Sequence, residues 1–375
     1  MDGKSLIFAN TSYAGMGPYV VNIVNSFTVR DNVYFFLVEN ENRYYTKNIK
    51  SELKDCTTFF LKPENKIKTT INVFFPIKPS YYCELIQFCE EQHIKTVYII
   101  TGCYDSCLIK FLRKRGIKII IAVHDLHPHE SKKNFILQLR HKMFYYKTFN
   151  VMWMCDEYVT NDIEQFNELK NKVGNKPVYF HEFPTLVTSS IANGNKIPRE
   201  FDGNLDLRYV LFFGRIEEYK GVRMLYDLFM SNKYFNGINL VIAGSGSIPF
   251  ERKSSEREHG ILVINRYIED EEVRFLYTHA SCVVYPYISA TQSGVLSLAY
   301  YFRTPTLVSD IPFFRGIIER SKGGVCFSNG NVSSLEEKLL DVLSQKNDYS
   351  YNQEAYYNSY YSHEKIKEKL LNILK

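Results

Sequence analysis

No two of the chain's eight cysteines form a CxxC pair. Cys103 and Cys107 stand one helical turn apart without a second pair of ligands, which argues against a structural zinc site. With Cys56, Cys83, Cys89, Cys155, Cys282 and Cys326 they read as small apolar residues of a reducing compartment. No apolar run approaches the roughly 20 residues that span a bilayer. The opening MDGKSLIFAN lacks a signal-peptide layout, so a cytoplasmic protein is expected. Low-complexity tracts and short-period repeats are missing as well. Charge of one sign is scarce: 46 basic and 41 acidic residues leave a formal +5. That is too mild to imply nucleic acid by itself.

What is present is a globular composition, 45% hydrophobic and 15% aromatic. Its 375 residues exceed one ordinary core and fit two domains. Short β-branched and aromatic runs (SLIFAN, VYFFLVE, TVYIIT, IKIIIAVHD) alternate with helically spaced segments (GPYVVNIVNSF, YYCELIQFCEEQ, SCLIKFLRKRG). The second half repeats this order through RYVLFFG, GVRMLYDLFM, NLVIAG, GILVIN, EDEEVRFLYTHA, SCVVYPY, SGVLSLAYYF and PTLVSD. Continuous apolar strands between amphipathic helices predict parallel sheets covered on both faces. The polar stretch 189–204 reads as the linker. The expected fold is α/β: two doubly wound, Rossmann-like domains facing a central cleft, at 1–190 and 205–345, with ligands outside the carboxyl ends of the strands.

Several loops at those strand ends carry candidate chemistry. In GRIEEYKG, Gly214 ends a strand and Gly221 opens a helix, whose N-terminus favours an anion. Arg215 can fork onto phosphate and Lys220 supplies a point charge. The competing reading is a solvated loop in which Glu217 and Glu218 pair with the two cations. In NLVIAGSGSIP, Gly244 and Gly246 permit close approach to a ligand or merely a tight strand exit. Thr291, Gln292, Ser293 and Gly294 either cap the next helix or hold a phosphate at its N-terminus. Gly15 and Gly17 form a glycine loop after the first strand. Val20 stands where a dinucleotide fingerprint needs its third glycine, so only Glu39 supports a nicotinamide site. His124 and Asp125 end a buried strand near His127 and His129. Without helical spacing they fit a hydroxyl-binding role better than a metal, and a structural histidine bonded to Asp125 is the alternative. The stretch 131–150 carries five Lys/Arg and no acid. Its Lys132, Lys133 and Arg140 suit anionic lipid headgroups or simply a solvated helix face, and no nucleic-acid-binding fold accompanies them.

In this order the motifs resemble the retaining glycosyltransferases of the GT-B fold, family 4, of the bacterial surface-polysaccharide type. GRIEEYKG is similar to that family's donor-phosphate motif, VIAGSG to its next strand and turn, and RYIEDEEVRFLYTHASCVVYPY to the approach to the donor loop. TPTLVSD and GGVCFSNGN resemble the last strand and a closing glycine-rich hairpin. YAGMG and His124–Asp125 resemble its glycine loop and strand-end histidine. Segment 351–375 resembles the C-terminal helix that crosses back to the first domain.

The resemblance implies that Arg215 and Lys220 serve catalysis by binding the diphosphate of a nucleotide sugar and stabilising it as leaving group, with His124 as the third catalytic residue. It implies donor contacts at Gly15, Gly17, Gly214, Gly244, Gly246, Arg266, Ile268, Thr291, Gln292, Ser293 and Gly294. It places Asp125, Lys132, Lys133 and Arg140 on the acceptor and membrane side. No metal or other cofactor is expected, since the protein supplies the positive charge. The implied partners are a nucleotide-sugar donor and a lipid-linked or oligosaccharide acceptor for O-antigen, capsule or lipopolysaccharide, at the inner face of the cytoplasmic membrane. Two departures stand out. Thr291 and Ala299 occupy the positions of the family's Glu-x7-Glu pair, and PFFRG replaces a Gly-Gly turn. A non-catalytic nucleotide-sugar-binding relative, or an NAD(P)-dependent oxidoreductase, is the alternative.

Overall fold

The computed structural model describes residues 3–10, 16–62, 81–101, 106–124, 126, 146, 149–201, 208–231, 237–290, 293–344 and 348–375. The chain forms two units, Met1–Phe183 with His363–Lys375, and Pro184–Ser362.

The first unit is built on β1 (Lys4–Ala9), β2 (Val33–Glu39), β3 (Thr57–Leu61), β4 (Ile94–Ile99), β5 (Lys118–Ala122), β6 (Glu157–Thr160) and β7 (Val178–Phe180). They form one parallel sheet in the order β3-β2-β1-β4-β5-β6-β7. Successive side chains of a strand point to opposite faces. Accordingly Leu6 and Phe8 join one apolar cluster with Leu108, Ile109 and Leu112 of the helix Ser106–Lys114. Ile7 and Ala9 join another with Tyr19, Val20 and Ile23 of the helix Met16–Asn25. Covering both faces is what makes the strands read as unbroken apolar runs.

The helix His363–Leu374 belongs to this unit and adds Ile366, Leu370, Ile373 and Leu374 to the second cluster. Their i, i+4, i+7, i+8 spacing places them on one helix face. Lys367 pairs with Asp31 at 2.8 Å, and the Ser5 hydroxyl donates to the Leu374 carbonyl at 3.2 Å.

The second unit holds β8 (Tyr209–Phe213), β9 (Asn239–Ala243), β10 (Ile261–Ile264), β11 (Ala280–Tyr285), β12 (Thr306–Ser309) and β13 (Val325–Phe327). The sheet order is β10-β9-β8-β11-β12-β13, all parallel. Strand order therefore reverses between β8 and β11, the position at which open α/β sheets bind ligands beyond their carboxyl ends.

Two expectations change here. GGVCFSNGN is not a closing hairpin: β13 runs parallel to β12, with Leu307 beside Val325. A parallel neighbour needs a crossover, and the helix Pro312–Ser321 supplies it. Residues 189–201 of that stretch lie within the second unit, where Ile191 and Phe201 are buried and the Phe201 ring meets Phe275 edge-on at 5.1 Å. Two apolar side chains among polar neighbours anchor a segment whose average composition reads as a linker.

Candidate active site

The loop after β8 is compact. Gly214 N–H donates to Ala243 O at 3.0 Å and Ile216 N–H to Ser245 O at 3.0 Å, fastening it to the exit of β9. A single 3₁₀ turn, Glu218–Lys220, follows and ends on Gly221 in the left-handed region (φ 64°), from which the helix Val222–Ser231 starts. Ile288 N–H donates to Tyr219 O at 2.7 Å, so the same turn is tied to the chain leaving β11.

This geometry treats the two cations differently. Arg215 is half-exposed and meets Glu217 at 3.1 Å, an ion pair worth roughly 0–1 kcal/mol in water. Lys220 is only 7% exposed. Its Nζ donates to the Tyr287 hydroxyl at 2.8 Å and lies 4.7 Å from the centre of that ring. Among the described residues no carboxylate lies within ion-pair distance of it, so the solvated ion-pair reading applies to Arg215 and not to Lys220. Burial pushes the Lys220 pKa below the usual amine value. Tyr219 opposes that shift, Arg215 adds to it and Glu217 opposes it. Lys220 and Tyr287 thus join the exits of β8 and β11 across the switch point.

The remaining donor-side residues fall into three groups. Gly244 and Gly246 approach the protein's own backbone: a Cβ on either would overlap the carbonyl oxygen of Gly214 or Ile216. Gly246 N–H also donates to Asn265 Oδ1 at 3.0 Å. Arg266 is engaged on two sides, its guanidinium donating to both carboxylate oxygens of Glu200 and both of Glu272 at 2.8 Å. Ile268 is buried in the core. These two side chains are committed to structure. At the third site, Thr291 and Gln292 lie outside the described residues. Gly294 is the N-cap of the helix Val295–Tyr301 and bears no side-chain cap bond. The Ser293 hydroxyl bonds Tyr287 instead, drawing down a phenol that burial pushes well above its usual pKa.

In the first unit, Gly17 lies buried in the first turn of the helix Met16–Asn25, while Gly15 lies outside the described residues. Asp125, Lys132, Lys133 and Arg140, with His127 and His129, lie outside them too. His124 Nε2 sits 2.8 Å from Ile100 O, and the ring packs edge-on against Tyr19. Gln165 pins this loop: Leu126 N–H donates to its Oε1 at 2.6 Å, and its Nε2 donates to His124 O at 3.1 Å. Glu39 is buried and accepts from the backbone and hydroxyl of Thr46. That carboxylate is satisfied within its own unit, which removes the one feature favouring a nicotinamide ribose. Among the described residues no group of three or more His, Cys, Asp or Glu is placed to hold a metal ion. Nor is any helix there long and apolar enough to cross a membrane.

Residues 195–360 match the family model described as Glycosyl transferases group 1. The chain therefore carries a Glycosyl transferases group 1 domain over that stretch. No curated protein sequence matches the chain. Solved structures of similar architecture include sucrose-phosphate synthase from Thermosynechococcus elongatus, at 12% identity and a TM-score of 0.70, covering 99% of this chain and 98% of that one. Anabaena HepE in complex with UDP and glucose gives 12% identity and 0.66, covering 99% of each chain. S. aureus TarM, in complex with fondaparinux, alpha-GlcNAc-glycerol and UDP, gives 11% and 0.65 over 100% of each. The fold is GT-B.

Ala299, which the sequence reading matched to the family's second glutamate, is fully buried in the apolar core on the helix Val295–Tyr301. Tyr287 and Gln165 escaped the sequence reading. In SCVVYPY a tyrosine looks like one more strand aromatic, and Gln165 sits on the helix Ile163–Val173, far along the chain from the loop it holds.

Proposed function

We propose that the enzyme transfers a sugar, with retention of anomeric configuration, from a nucleotide-diphosphate sugar to a lipid-linked glycan acceptor in surface-polysaccharide synthesis such as O-antigen or capsule. One observation carries the donor half: a buried Lys220 with a neutral bonding partner, at the switch point of a parallel sheet. Burying an ammonium costs several kcal/mol unless an anion joins it. A diphosphate supplies that anion. Its charge grows as the bond from the sugar C1 to the phosphate oxygen breaks, and preorganised cations are worth most at that moment. The electron pair leaves on the diphosphate. The acceptor hydroxyl bonds C1 on the same face and passes its proton to the departing phosphate oxygen.

Arg215, half-exposed beside Glu217, reaches the same anion from the solvent side. His124, placed just beyond the carboxyl end of β5 (Lys118–Ala122), hydrogen-bonds a hydroxyl of sugar or acceptor. The neutral partner of Lys220 and the buried Ala299 together favour a donor held by its diphosphate more than by its ribose. The basic stretch 131–150 supports docking at an anionic membrane surface, which brings the enzyme to a lipid-linked acceptor.

Calorimetric titration with UDP, GDP and ADP tests the donor half, UDP first because it is the nucleotide bound to HepE. Lys220→Ala is expected to weaken the preferred diphosphate roughly 10- to 100-fold, the worth of a charged hydrogen bond. Unchanged affinity would remove Lys220 from the site. The anomeric coupling in the NMR spectrum of the product tests retention. Sedimentation with anionic vesicles, before and after neutralising Lys132, Lys133 and Arg140, tests the membrane half.

A further inference from the structure

Tyr287 is fully enclosed, and its ring is fixed by Phe314 at 5.1 Å, Tyr285 at 6.0 Å and Tyr219 at 6.2 Å between ring centres. The phenol oxygen therefore has one place to be, 2.8 Å from Lys220 Nζ. Gly214 stands beside the same pair, where a Cβ would come within 3.2 Å of Nζ and 3.9 Å of the phenol oxygen. The ammonium therefore lies against both the backbone leaving β8 and the phenol beyond β11. It carries three N–H groups, and among the described residues one of them has a bonded acceptor.

The choice of residue at 287 has a physical consequence. A carboxylate there would orient the lysine but cancel its charge, leaving little attraction for a phosphate. A phenylalanine would keep the ring and leave the ammonium without its acceptor. Tyrosine orients the ammonium and leaves its charge standing.

We infer that Tyr287 is a positioning residue that aims the charged Lys220 at the diphosphate. This rests on the reading of Lys220 as a diphosphate ligand. The charged and titratable groups facing Lys220 are Arg215 and Glu217 from its own loop, Tyr219 beside it, and Tyr287 from the exit of β11. Tyr287 is the one hydrogen-bonded to Nζ, so its oxygen favours the protonated amine while burial and Arg215 disfavour it. Removing that oxygen makes the lysine lose its proton at lower pH.

The test measures UDP affinity calorimetrically between about pH 7 and pH 10, the range in which a depressed lysine titrates. It compares wild type, Tyr287→Phe, Lys220→Met and the double variant. Tyr287→Phe keeps the ring and its packing and is expected to bind roughly three- to tenfold more weakly at neutral pH. Its alkaline loss of affinity should begin at a lower pH than in wild type. In the Lys220→Met background the Tyr287→Phe effect should vanish, because the phenol acts through the lysine. Equal affinity and an unmoved alkaline limb in Tyr287→Phe would overturn the positioning role and leave the diphosphate reading standing. The same penalty in both backgrounds would also overturn it, assigning Tyr287 to direct contact or packing. UDP binding indifferent to Lys220→Met would remove the diphosphate reading and this inference together.

Discussion

At the scale of single residues, the position of Lys220 depends on its neighbour. Gly221 closes the 3₁₀ turn with φ 64°, and a Cβ there would overlap the carbonyl oxygen of Pro286. Pro286 immediately precedes Tyr287, so crowding at 221 displaces both ends of the Lys220–Tyr287 bond. Alanine at 221 meets two penalties, a left-handed backbone of about 1–2 kcal/mol and an overpacked contact of about 1–3 kcal/mol. Gly221→Ala is expected to lower the stability of the second unit by roughly 2–4 kcal/mol in urea unfolding and to weaken nucleotide binding. A loss below about 1 kcal/mol would show that the strand exits yield easily. Glycine spacing makes such loops visible in a sequence, but not what each glycine approaches. For Gly244 and Gly246 the sequence leaves a ligand approach and a tight strand exit open, and both let the exit of β9 lie against Gly214 and Ile216.

At the scale of elements, the strands seen in the sequence were the ones buried on both faces, such as β1 and β8. β3, β6 and β7 went unseen because they are short or only half-buried, so their residues (TTFFL, EYVT, VYF) show no long apolar run. Charge pairs between distant segments are hidden for another reason: nothing local records them. Arg266 follows β10 and joins Glu200, from the stretch expected as a linker, to Glu272 on the helix Asp270–Thr278. The Arg266 guanidinium, bonded to both carboxylate oxygens, holds the Glu200 pKa down at about 2, against a usual 4.5. A carboxyl depressed in the folded state contributes stability above its unfolded pKa and loses it as pH falls through the folded one. The advantage of wild type over Glu200→Gln should therefore be full above about pH 4.5 and fade toward pH 2. Urea unfolding of both proteins at pH 7, 5, 4 and 3 measures it. A gap that stays constant down to pH 3 would mean that the stabilisation is not ionic.

At the scale of the whole molecule, alternating strand and helix patterns made two parallel α/β sheets legible, and the order of the glycine and Arg/Lys motifs pointed to the glycosyltransferase group 1 domain. The strand orders rest on pairings between residues remote in sequence, as between β1 and β4 or β8 and β11, which no local pattern records. The chain passes between its units twice, after Phe183 and after Ser362, so the first unit is completed by a segment that follows the whole of the second. The helix His363–Leu374 buries four apolar side chains there and adds the Lys367–Asp31 and Lys369–Glu182 bonds. At about 1.5 kcal/mol or more for each apolar side chain, its removal costs on the order of 6 kcal/mol, comparable to the whole stability of an ordinary domain. Deleting residues 363–375 should therefore unfold the first unit near room temperature and spare the second, whose core takes nothing from that helix. Calorimetry would record one transition in the truncated protein, and peptide-resolved hydrogen exchange would show protection retained in β8 to β13 and lost in β1 to β7. Protection lost equally in both sheets would instead mean that the two units fold as one cooperative body, with the C-terminal helix stabilising both.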